Sequence, residues 1–149
     1  MPDVCPECHE EYYDYWCKPC NSTRFKSDFD KWTSGNVTID KFIQDTQRNA
    51  DYYKVIEWIP YDKFQDIKQM AKGGYGTIYY AKWVDGYICD WNIRYQQWER
   101  SVQVEVVLKK FDGIVDINED FLNEMAIHML ELYQLHFLEL QKIQKLMNI

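Results

Sequence analysis

The sequence predicts an α+β fold: a small cysteine-rich knuckle, a helical linker, then a twisted antiparallel sheet with one long helix packed on it. Three observations carry that expectation. Residues 1–20 hold four of the five cysteines, in two pairs. The apolar spacing then changes from helical to alternating at Phe64, and it returns to helical at about Asn118. The boundaries that follow are a knuckle over 1–24, a linker over 25–60 and a sheet-and-helix unit over 61–149.

The knuckle is written in "CPECHEEYYDYWCKPC", where Cys5 and Cys8, and then Cys17 and Cys20, stand at CxxC spacing. Two residues between thiolates let both reach one ion, and two such pairs complete the tetrahedral sulfur cage that zinc prefers. A filled shell of four thiolates leaves no position for water, so the expected site is structural. It would stabilise the fold by about 10–16 kcal/mol, enough for a segment with so small a core of its own. Disulfides or two redox pairs are the other uses of this spacing, and they rank below zinc in a reducing compartment. His9 has the chemistry to replace one ligand but reads rather as an exposed neighbour of the ligands, and Cys89 as a buried small apolar residue.

The knuckle also carries Tyr12, Tyr13, Tyr15 and Trp16. Such rings stack on single-stranded nucleic acid in some proteins, but Glu10, Glu11 and Asp14 between them would repel phosphates. Packing on the following helix, or contact with a protein partner, is the expectation instead.

At 149 residues with 46% hydrophobic and 17% aromatic side chains, the chain has the means for a real core. A net charge of −7 argues against nucleic acid or an anionic membrane surface as partner. "MPDVCPECHE" shows no secretory pattern, and no apolar run approaches the roughly 20 residues of a membrane span. A soluble cytoplasmic protein is expected.

Along the linker, Phe25, Phe29 and Trp32 recur at helical spacing, with Gly35 placed as the residue past a helix end. Ile39, Phe42, Ile43, Ala50 and Tyr53 suggest a second amphipathic helix, and Pro60 stops it. "GTIYYAKWV" and "SVQVEVVLKKF" read as strands. In the latter Val102, Val104, Val106 and Leu108 take one face, and Gln103, Glu105, Val107 and Lys109 the other. "DGYICDWNIRYQQWER" reads as a long connection with some strand content. The final segment keeps Leu122, Met125, Met129 and Leu132 in an apolar stripe, the mark of a packing face.

"KGGYGTIYYAKW" raises the question of phosphate binding. A Walker loop needs Gly-Lys-Ser/Thr opening a helix, and a dinucleotide fingerprint also needs a helix, whereas strand follows here. The remaining cradle is the strand-loop-strand type that covers ATP in protein kinases. That type pairs with a strand lysine two residues after a residue touching adenine, and with a helix glutamate that holds the lysine. "VVLK" offers Val107 and Lys109, and "NEDFLNEMAIHML" offers Glu124.

"EWIPYDKF", "AKGGYGTIYYAKW", "VVLKKF" and "DFLNEM", after the cysteine pairs and "WTSGN", resemble the protein-kinase-like family of arbuscular mycorrhizal fungi. The resemblance covers most of the chain and implies that 61–149 is a kinase amino-terminal lobe. Gly73, Gly74, Tyr75 and Gly76 would lie over the phosphates of ATP, Ile78 and Val107 would pack on adenine, Lys109 would bind phosphate, and Glu124 would hold Lys109. Ala71 stands where the first kinase glycine is expected, and the stretch from Ala81 to Val106 is longer than in most kinases. Neither an HRD catalytic loop nor a DFG motif occurs, so the expectation is a nucleotide-binding lobe of a Ser/Thr or Tyr kinase, truncated after the helix and inactive alone. The alternative is a non-enzymatic, zinc-dependent interaction module carrying a relic lobe, its partners held by the knuckle aromatics or the carboxy-terminal helix.

Overall fold

The structure, a computed structural model, describes residues 2–51, 55–73, 76–111, 118, 120, 122 and 123. Two short strands, β1 (Asp3–Val4) and β2 (Glu11–Tyr12), pair antiparallel on either side of the first cysteine pair. The chain then reverses between Tyr13 and Trp16, which form a bridge. Asp14 (φ 55°) and Tyr15 (φ 59°) both sit in the left-handed region, as the twist of a two-residue hairpin turn requires.

Helix α1 (Lys18–Asp28) starts directly after Cys17, with proline in its first turn, where the missing N–H leaves no bond unmade. It runs through residue 24, so knuckle and linker are continuous. A 3-10 turn, Phe29–Lys31, follows it and leaves Trp32 in extended backbone, just outside the helix its spacing suggested. Gly35 stands before the next helix rather than at the end of the first. Helix α2 (Val37–Arg48) is capped by Asn36, whose side chain accepts the N–H groups of Thr38 (2.9 Å) and Ile39 (3.2 Å).

Strand β3 (Phe64–Gly73) pairs antiparallel with β4 (Gly76–Trp83). A register shift between Gln65 and Lys68 accompanies the left-handed Asp66 (φ 52°), a bulge that twists this edge strand. The long connection folds into its own hairpin, β5 (Ile88–Asn92) and β6 (Gln97–Arg100). Strand β7 (Val104–Phe111) then returns beside β4, giving a three-stranded sheet in the order β3-β4-β7.

Three apolar clusters form among the described residues. Ile39 and Ile43 of α2 pack with Ile56 and Leu122. Ile59, Phe64, Ala81, Trp83, Val106 and Leu108 cover one face of the main sheet. Trp16, Phe25, Ala50, Val55 and Ile88 join knuckle, linker and inserted hairpin, with Phe29 and Trp98 packed against them. Ala50 therefore belongs to the third cluster and lies past the end of α2, while Tyr53 is outside the described residues.

Two further expectations change. Val102 is 84% exposed and precedes the strand, because the chain bends there. Ser101 donates its N–H to Tyr87 O (2.8 Å) and its hydroxyl accepts Tyr87 N–H (3.1 Å), which closes the mouth of the inserted hairpin and turns the chain toward β7. Cys89 is half-buried rather than buried. Asp120, Leu122 and Asn123 are helical, and Leu122 packs with Ile39 and Ile43 of α2. The rest of the expected final helix, with Met125, Met129 and Leu132, lies outside the described residues. Among the described residues no helix is long and apolar enough to cross a membrane.

Candidate functional site

The sulfur atoms of Cys5, Cys8, Cys17 and Cys20 all lie within 4.8 Å of one another. Cys5 and Cys20 are 4.0 Å apart, Cys8 and Cys17 3.5 Å. A tetrahedral thiolate cage with metal–sulfur bonds of about 2.3 Å has sulfurs about 3.8 Å apart, so donor type and spacing both fit one thiophilic ion such as zinc. His9 is exposed, adopts φ 65° and stands outside this group.

The local fold explains the convergence. β1 and β2 hold the first pair in a tight loop, fixed by Cys5 N–H donating to Glu10 O and His9 N–H to Cys5 O, both at 2.9 Å. Of the second pair, Cys17 is the residue that precedes α1 and Cys20 lies in its first turn, where the helix dipole favours negative charge. In each pair the backbone N–H of the second cysteine favours the thiolate of the first. Burial pushes Cys17 and Cys20 up; at Cys5 the same burial is outweighed by the Cys8 N–H and the neighbouring thiols, which bring it down. Four crowded thiols cannot all ionise unaided, and a cation among them removes that conflict.

Arg24 buttresses the centre from α1. Its guanidinium pairs with the Glu7 carboxylate, donates to Asn21 Oδ1 (2.6 Å) and lies 4.5 Å from the centroid of the Trp91 ring on β5. Asn21, buried at 3% exposure, accepts that Arg24 bond and donates its backbone N–H to Cys17 O. The knuckle aromatics divide: Trp16 is buried and donates Nε1–H to Ala50 O (2.9 Å), whereas Tyr13 and Tyr15 are 71% and 69% exposed.

On the main sheet, Gly73 pairs with Gly76 at the β3–β4 end; Gly74 and Tyr75 lie outside the described residues. Ile78 pairs with Lys109, and Tyr80 with Val107. Directly paired residues share a face, and neighbours along a strand alternate. Ile78, Tyr80, Val107 and Lys109 thus occupy positions on the face opposite Ala81, Val106 and Leu108, which are buried. The Lys109 side chain and Glu124 are outside the described residues. A groove of about 670 Å³ continues along this open face from Tyr80 away from the glycines, between Asp66, Lys68, Lys82 and Glu105.

Sequence reasoning missed Arg24, Trp91, Trp98 and Arg100. Three tryptophans within Trp83–Trp98 were the available signal, since a solvated connection has no use for them. Comparison with protein-family models, with curated proteins and with solved structures finds no match.

Proposed function

We propose that this chain is the ATP-binding lobe of a protein-kinase-like polypeptide, with a structural zinc ion held by Cys5, Cys8, Cys17 and Cys20. The observation that carries the reading is the register of β4 on β7. It sets Ile78 opposite Lys109, two pairs along from Tyr80 and Val107, on the sheet face away from the core and next to the glycine-rich connection. An adenine lying on Ile78 and Val107 would direct its phosphates toward Lys109 and the Gly73–Gly76 end.

Gly73 adds support of a different kind. A Cβ there would meet nothing within 4 Å, and its φ is not left-handed, so neither crowding nor backbone strain among the described residues calls for glycine. A glycine there leaves the backbone open to close approach by a ligand. The catalytic aspartate and the magnesium ligands of phosphoryl transfer are not among these 149 residues, so the step the chain performs in this reading is nucleotide binding.

The test is titration of the full chain with a fluorescent ATP analogue and magnesium. Saturable binding is expected. Lys109→Met should weaken it roughly tenfold or more, the worth of charge-assisted bonds to phosphate. Gly73→Ala should also weaken it while leaving thermal stability unchanged. Absence of saturable binding by the unaltered chain overturns the reading. A second reading, a zinc-dependent module that docks a protein partner, draws on the exposed Tyr13 and Tyr15 beside Glu10, Glu11 and Asp14. It gains if Tyr13→Ala abolishes a protein contact while the nucleotide titration is negative.

A further inference from the structure

The inserted hairpin β5–β6 joins the central strand β4 of the main sheet to the edge strand β7, yet its tryptophans pack on the knuckle and α1. Trp98 stacks on Phe25 with ring centroids 4.7 Å apart and on Trp16 at 5.9 Å, both at 18° between planes. Trp91, its partner across the hairpin, meets Trp98 edge-on at 5.0 Å and carries the Arg24 guanidinium over its own ring at 4.5 Å. Each knuckle-side member of this stack is positioned by the cysteine group. Trp16 immediately precedes Cys17; Phe25 and Arg24 lie on the helix whose first turn contains Cys20; Arg24 is also tied to Glu7, between Cys5 and Cys8. On the linker side Arg100 makes a two-bond ion pair with Glu57, at 2.5 and 3.0 Å, and donates to Gly86 O at 2.9 Å.

We infer that metal binding at the four cysteines is the clasp that holds the β5–β6 hairpin, so that metal occupancy controls the order of the β4–β7 connection. Two short strands with a handful of ladder bonds are marginal alone and need a surface to lie on. Here that surface is a tryptophan, a phenylalanine and an arginine, fixed in place only while the knuckle is folded. The knuckle in turn has few buried apolar residues of its own and depends on its ion. The local opening of the hairpin is therefore linked to the metal equilibrium. Its effect on nucleotide affinity, through Ile78 and Lys109 at the far ends of β4 and β7, rests on the ATP-binding reading; the clasp itself does not.

Residue-resolved amide hydrogen exchange on the full chain tests it, comparing zinc-loaded protein, protein stripped with a chelator, and zinc-loaded Trp98→Ala. Stripping should speed exchange across Ile88–Arg100 roughly tenfold or more, the scale of losing two ring stacks, while α2 amides keep their rates. Trp98→Ala should free the same hairpin amides with zinc still bound and the amides of Cys5 and His9 still protected. Unchanged hairpin protection in either sample overturns the inference. So does equal acceleration in α2 on stripping, because the metal would then hold the whole chain and not this hairpin. None of these readouts uses nucleotide, so a negative ATP titration beside a positive exchange result removes only the kinase reading.

Discussion

Gly86 shows how much one residue can carry at the entrance to the inserted hairpin. It holds φ 70°, and a Cβ there would come within 2.2 Å of the Ser101 hydroxyl and 2.6 Å of two backbone carbonyl oxygens, Ser101 O and Val102 O. Backbone oxygens cannot step aside as a flexible side chain does, so Gly86→Ala combines left-handed strain with a clash and displaces the Tyr87–Ser101 bonds. A loss of about 2 kcal/mol or more is expected by urea denaturation. A loss below about 0.5 kcal/mol would mean that the turn is built differently. The reason was not legible in the sequence, where "VDGYI" reads as any turn: the demand comes from Ser101, fifteen positions downstream.

Helix α2 begins with a small hydrogen-bonded frame that also sets its response to acid. Burial pushes the Asp40 carboxyl up, but the Ser34 and Thr33 hydroxyls and the Ser34 N–H, which donates at 2.8 Å, outweigh it and hold the group below its ordinary value of 3.8. A depressed folded value contributes stability that is complete above the unfolded value and is lost as pH falls through the folded one. Denaturation measured between about pH 6 and pH 3 should therefore show a decline toward acid that is shallower in Asp40→Asn, which starts lower and has no such carboxylate to protonate. Parallel curves would exclude Asp40 as the source. α2 and the strand pattern were readable because spacing along one element reports its buried face: Ile39 and Ile43 recur at helical spacing, and Val104, Val106 and Leu108 alternate. The same alternation misled at Val102, since nothing in the residue itself announces that Ser101 has already bent the chain away from the sheet.

Across the whole molecule, the cysteine centre and the inserted hairpin meet in one apolar cluster, so the ligands support more than their own loop. Cys17→Ser should reduce bound zinc, measured by elemental analysis, from one ion per chain. It should also lower the unfolding midpoint beyond what an isolated surface loop would cost. Retention of a full equivalent of zinc, or an unchanged midpoint, would falsify the four-sulfur centre as the anchor of that cluster. The cluster of four cysteines could be found from sequence because two-residue spacing is itself a chelating geometry. The tertiary partnership of Trp98 with Trp16 and Phe25 could not, because contact between distant residues leaves no periodic trace. That separation has a consequence during synthesis. The cysteines and the two rings emerge from the ribosome about eighty residues before Trp98, a delay of roughly 4–16 s at ordinary elongation rates. Through that interval the cysteine knuckle presents bare aromatic surface to its surroundings, and the nascent chain is open to premature association until its own hairpin arrives to cover it.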